Sequence, residues 1–122
     1  MIDIKHTVHD TVDLVTVKGN LNRETAPLLN QALRALVDQG RYRILLNLSE
    51  VSLMTSAGLR VLVAILKATR PRGGDLQLLN PSERALETLK FAGLIAVFKV
   101  VNSESLGLEG FQRLPDTNQT KP

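Results

Sequence analysis

The sequence has no cysteine and no tryptophan, and only one tyrosine and three phenylalanines among 122 residues. Without thiols there can be no disulfide, no thiolate nucleophile and no zinc–thiolate site. With aromatics at 3% the core has to be aliphatic, and a platform of stacking rings for single-stranded nucleic acid is not expected. Histidine is almost as scarce. His6 and His9 both lie near the N-terminus with no carboxylate cluster at ligand spacing, so they read as surface residues of a first strand and no metal site is expected. No apolar run reaches 18 residues and no secretory leader pattern opens the chain. The expectation is a cytoplasmic protein without membrane insertion.

What is present is enough for one core. A hydrophobic content of 43% over this length suits a single domain. Fifteen Lys and Arg against twelve Asp and Glu give a mild +3. The densest basic stretch, Lys67 to Arg72, falls where a helix should end, and cations favour the negative end of a helix dipole. Nucleic acid is therefore not an expected partner.

The hydrophobic pattern alternates between two periods. Ile2, Ile4 and Val8 begin an imperfect β alternation, His9-Asp10 offers a turn, and Val12, Leu14 (or Val15) and Val17 continue in β-type residues to Lys18-Gly19-Asn20, which suggests a hairpin. Ala26, Leu29, Leu33, Leu36 and Val37 mark one face of a helix, with Pro27 in its first turn and Gly40 at its end. Arg43 to Leu48 reads as a central strand apolar on both faces. A helix from Thr55 or Ser56 to about Ala68 or Thr69 follows, with Pro71 and Gly73-Gly74 beyond it. Leu76 to Leu79 is a fourth strand, Ser82 opens a helix ending near Gly93, Val97 to Val101 is a fifth strand, and 103–112 could add a short helix. The order predicts an α/β fold: a mixed, mostly parallel sheet of four or five strands with helices packed against it.

The most informative stretch is Ser52 to Leu62, SLMTSAGLRVL, where a strand hands over to a helix through Thr55-Ser56-Ala57-Gly58. A Ser at such a junction can cap the helix, attack a substrate or accept a phosphate. Attack lacks its parts. The elbow pattern G-x-S-x-G fails at Met54, and no histidine follows residue 10 to act as general base. No G-x-x-x-x-G-K-[ST] phosphate loop occurs anywhere. An enzyme is not expected, and no cofactor is implied.

The run Asn47 to Arg60, NLSEVSLMTSAGLR, resembles the signature of the STAS domain family, the anti-sigma factor antagonists of bacteria, whose pattern is D-L-S-x-V-x-F-[IM]-D-S-[SA]-G-L. Gly19-Asn20-Leu21-Asn22 with Thr25-Ala26-Pro27 resembles the family's G-x-L-D followed by T-A-P, and Leu86 to Phe98, LETLKFAGLIAVF, its third helix and last strand. The resemblance implies one STAS domain over residues 1–112, followed by a polar tail, 113–122, expected to be disordered. It also implies that Ser56 is phosphorylated by a partner, an anti-sigma factor with serine kinase activity, and that the unphosphorylated domain binds this partner and frees a sigma factor. Three family aspartates are replaced, by Asn22, Asn47 and Thr55; Asn22 and Thr55 are expected beside the junction, on a rim that is then less acidic.

Phosphoserine carries about −1.5 to −2 charges near neutral pH. Inside a docked interface that charge must be desolvated, and a loss of ~3 kcal/mol weakens binding more than a hundredfold. At a helix N-terminus the free domain tolerates the same charge. The expected partner surface joins Asn20, Asn22, Arg23 and Thr25 to Met54, Thr55, Ser56 and Arg60. Met54 has two readings there, an adaptable surface contact or a core residue. Two other functions stay open: a STAS-type scaffold or regulatory subunit without phosphorylation, and a small nucleotide-binding protein. Weak self-association is also left open.

Overall fold

The computed structural model describes residues 2–112. The expected tail from 113 to 122 lies outside the described residues.

Strand β1 (Ile2–His9) and strand β2 (Val12–Leu21) form the opening hairpin. Asp10 takes φ 59° at the turn, a left-handed conformation that short polar side chains tolerate. Helix α1 (Ala26–Asp38) carries Pro27 in its first turn and buries Ala26, Leu29, Leu33 and Leu36. It ends in a Schellman-type turn: the amide of Gly40, at φ 78°, bonds Val37 O at 3.0 Å, and Arg41 N bonds Leu36 O at 2.9 Å. Strand β3 (Arg43–Met54), helix α2 (Ser56–Thr69), strand β4 (Asp75–Leu79), helix α3 (Glu83–Phe91), strand β5 (Val100–Val101) and helix α4 (Glu104–Gln112) follow.

The five strands lie in sequence order in one sheet. β1 runs antiparallel to β2, and the remaining pairs are parallel, as the alternation of strands with helices predicts. Helices α1, α2 and α3 cover one face, over Val15, Val17, Ile44, Leu46, Leu76 and Leu78. α4 covers part of the other, where Phe111 packs with Val12, Leu14, Leu45, Leu79 and Val101. Its Gly107 permits this: a Cβ there would lie 2.8 Å from a methyl of Leu45.

Two expectations are corrected. β3 does not stop at Leu48 but continues to Met54. Its pairing with β2 shifts between Thr16 and Lys18 and again between Gly19 and Asn20, so β3 carries extra residues that break the period-two pattern. Asn47 serves the first irregularity, its side-chain oxygen accepting the Ser49 amide at 2.9 Å. β5 does not begin at Val97. Val97 N turns back to Leu94 O at 3.0 Å, Phe98 is buried in the helix-side core, and only Val100 and Val101 pair with β4.

Candidate functional site

The extension of β3 brings two loops together. Leu21, the last residue of β2, lies opposite Met54, the last of β3, so both chains leave the sheet at the same rim. Leu21 O accepts the amide of Thr55 at 2.9 Å and its hydroxyl at 3.3 Å. The turn into α2 is thus clamped to the end of β2. Gly58 makes the close packing possible. A Cβ at Gly58 would stand 3.1 Å from both Leu21 Cβ and Met54 Cγ.

Thr55 is the N-cap of α2, in an extended conformation (φ −103°, ψ 178°), and makes no side-chain cap bond to the helix. Its hydroxyl is turned to Leu21 instead. Ser56 is the first residue of α2 and is exposed. Its hydroxyl makes no hydrogen bond among the described residues. The first turn of α2 carries no acid, and the exposed Arg60 follows Ser56 by four residues, on the same helix face. Helix dipole and guanidinium together make the surroundings of Ser56 electropositive.

The loop before α1 is internally wired. Asn22 Oδ1 accepts the amides of Glu24 and Thr25, both at 3.0 Å, and Thr25 Oγ1 accepts the Asn22 amide at 3.0 Å. The Thr25 hydroxyl also donates to Asn20 O. An amide oxygen makes the contacts a carboxylate would make here, so Asn22 holds the loop without adding negative charge to the rim. Arg23 and Glu24 are the exposed side chains of this loop.

The structure brings the sequence-predicted residues to one rim, but it does not leave all of them on the surface. Met54 is 3% exposed and packs in the helix-side core, so of its two readings the core one holds. Thr25 is also buried, its hydroxyl spent on the loop. Asn20, Asn22 and Thr55 are half-buried, and Arg23, Ser56 and Arg60 are exposed.

Helix α3 was absent from the expected surface, and it borders the rim. Ser82 donates its hydroxyl to Val51 O at 2.7 Å while capping the Ala85 amide at 3.2 Å. One turn and a half further, Thr88 donates to Met54 O at 2.8 Å. These clips hold α3 against the extension of β3. Phe91, three residues beyond Thr88, is 96% exposed, and Leu94 lines a groove that reaches Ser56. The sequence signal lay in LETLKFAGL, where Phe91 falls outside the helix's Ala85–Leu89 apolar face. Among the described residues no group of three His, Cys, Asp or Glu side chains could hold a metal ion, and no helix is long and apolar enough to cross a membrane.

The STAS domain matches residues 3–106. The anti-sigma-B factor antagonist of Bacillus subtilis is 31% identical over 108 residues, which is 88% of this chain and 96% of that protein. The anti-sigma-B factor antagonist of Listeria monocytogenes is 32% identical over 103 residues, 84% of this chain and 90% of its own length. In structure, the unphosphorylated form of the anti-sigma factor antagonist SpoIIAA superposes with a TM-score of 0.77 at 18% identity, covering 95% of this chain and 100% of that one. The Bacillus cell fate determinant SpoIIAA in its phosphorylated form superposes with a TM-score of 0.69 at 19% identity, covering 90% of this chain and 98% of that one. These two likenesses establish the shared fold.

Proposed function

This chain belongs to the STAS domain family, and we propose that it is an anti-sigma factor antagonist. It binds an anti-sigma factor with serine kinase activity, and phosphorylation of Ser56 breaks the complex. One observation carries the reading. Ser56 is exposed at the start of α2 with an uncommitted hydroxyl, beside a loop clamped to it through Leu21. A hydroxyl with no structural duty can be modified without cost to the fold.

The switch needs no change of shape. In the free protein a phosphate on Ser56 meets the positive end of α2 and Arg60, so it is tolerated. In the complex the same charge is trapped between two surfaces and must lose water. The curated relatives named anti-sigma-B factor antagonists support the partner class. The two forms of SpoIIAA support the fold's capacity to exist with and without a phosphate.

A second reading is a STAS-type scaffold without phosphorylation. It is favoured by Asn22 and Thr55, which stand where the family pattern has aspartates and leave the rim short of acid. Incubation with ATP and the serine-kinase anti-sigma factor of the same organism, followed by phosphopeptide mapping, separates the two. Label at Ser56 supports the switch. Label at Thr55 alone moves the acceptor by one residue, and label at neither leaves the scaffold reading in place.

A further inference from the structure

The face of α2 beyond Arg60 is not used by the switch just described. A groove of about 430 Å³ runs along it, from Ser56 past Leu59, Val63 and Ala64 to Lys67, with Leu94 as its opposite wall. The positions 56, 59, 60, 63, 64 and 67 form one stripe of an α-helix, about 16 Å long at 1.5 Å per residue. The floor is apolar. The polar members, Ser56, Arg60 and Lys67, are all exposed. Both charges are cationic, and α2 contains no acid from Ser56 to Thr69. A separate hollow on α3 is lined by Glu87, Thr88, Lys90 and the exposed Phe91.

We infer that this groove seats an amphipathic helix of the partner protein that carries acidic residues along the flank lying against α2, so that recognition extends about three helical turns beyond Ser56. The inference rests on the reading that Ser56 lies at the partner interface. An apolar groove whose α2 wall carries both Arg60 and Lys67 is complementary to a helix with an apolar stripe and acids along one side of it, the helix-in-groove mode of recognition. The groove's volume also falls in the range of small-ligand sites. Such sites fix their ligand with placed polar groups buried inside the pocket, whereas the polar groups here, Ser56, Arg60 and Lys67, are all exposed on α2. Nucleic acid would meet too few cations and no stacking ring on the groove floor.

The test measures affinity for the serine-kinase anti-sigma factor of the same organism, with Ser56 labelling recorded in parallel, in the full chain and in Lys67→Glu, Lys67→Arg and Ala64→Trp variants. Circular dichroism melts confirm folding. Lys67 lies far enough from Ser56 to report on the groove rather than the rim, and Ala64→Trp fills the groove without altering charge. The expected result is at least a tenfold loss for Lys67→Glu and for Ala64→Trp, with Lys67→Arg retained and the Lys67→Glu deficit shrinking as salt rises. If the full chain binds and is labelled while both variants match it, the groove proposal is overturned and the reading of Ser56 stands. If only Ala64→Trp weakens binding, the occupant is apolar without acids; if only Lys67→Glu does, the contact is a charge outside the groove. Either result overturns the acid-flanked helix. If the full chain neither binds nor is labelled, the Ser56 reading falls, and the groove proposal with it.

Discussion

The carbonyl oxygen of Leu21 accepts two hydrogen bonds from Thr55, one from its amide at 2.9 Å and one from its hydroxyl at 3.3 Å. The last residue of β2 therefore fixes the residue that starts α2, across 34 positions of sequence. Thr55→Val keeps the branched Cβ and the amide bond and removes only the hydroxyl. Its expected cost is about 1 kcal/mol, the usual net worth of one hydrogen bond. Calorimetric unfolding checks this, and a loss near zero would show that the amide alone holds the turn.

Ser56 behaves differently from its neighbour because its hydroxyl is uncommitted. Ser56→Ala and Ser56→Asp are both expected to unfold within about 0.5 kcal/mol of the parent, as surface changes do. Binding should separate them. The alanine variant keeps partner affinity and accepts no phosphate, whereas the aspartate variant loses at least tenfold. Titration calorimetry against the kinase distinguishes these outcomes, and equal affinity for both variants would remove charge from the mechanism.

Much of this architecture was legible because single residues announce it. Pro27 and Gly40 bracket α1, and the spacing Leu29, Leu33, Leu36 gives its buried face. The handover from strand to helix put Ser56 at a helix start. Other parts left no local trace. In β3 the polar Ser49, Glu50 and Ser52 hide a strand whose alternation is broken by register shifts, so by pattern alone it ends at Leu48. In β5 the β-type run Val97-Phe98 turns inward to fill the core rather than pairing. The attachment of α3 depends on Thr88 reaching the backbone oxygen of Met54, and a bond to a carbonyl has no sequence signature on the acceptor side. Met54 shows the limit most directly. Its thioether suits either a surface or a core, and it is the packing of the folded chain, with Gly58 leaving room for it, that puts it in the core.

That close approach yields a graded prediction. A Cβ on Gly58 would stand 3.1 Å from Leu21 Cβ and Met54 Cγ. In Gly58→Ala the crowding is offset by a helix-propensity gain of up to about 1 kcal/mol, so stability should change little. Gly58→Val adds two methyl groups and loses that gain, and is expected to cost about 1–3 kcal/mol. It also pushes on the residues whose carbonyls hold Thr55 and Thr88, so partner affinity should fall with stability. Denaturant melts beside binding titrations read both. A Gly58→Val protein of undiminished stability would mean that Leu21 and Met54 yield freely.

The final prediction separates fold from function at opposite ends of β2. Asp13, near its start, is fully buried, with Arg41 Nε at 2.6 Å and His6 Nε2 at 2.7 Å. The bond to Arg41 ties the hairpin to the chain that leaves α1. Leu21 closes the same strand eight residues later, about 26 Å away at the rise of a β-strand. Arg41→Ala leaves a buried carboxylate whose remaining side-chain partner among the described residues is His6, which should cost about 3 kcal/mol. For a domain of this size that corresponds to a fall in Tm on the order of 10 °C or more. Because the rim around Ser56 is untouched, partner affinity measured well below the lowered Tm should stay within about twofold, additivity holding for distant sites. Arg23→Glu should do the reverse. Arg23 is exposed beside the clamped loop, so reversing its charge leaves Tm unchanged within error and weakens the partner complex several-fold. Thermal melts and binding titrations on the two variants form a crossed pair. If Arg41→Ala weakens binding as much as Arg23→Glu does, the two ends of the strand are coupled and the interface is not confined to the rim.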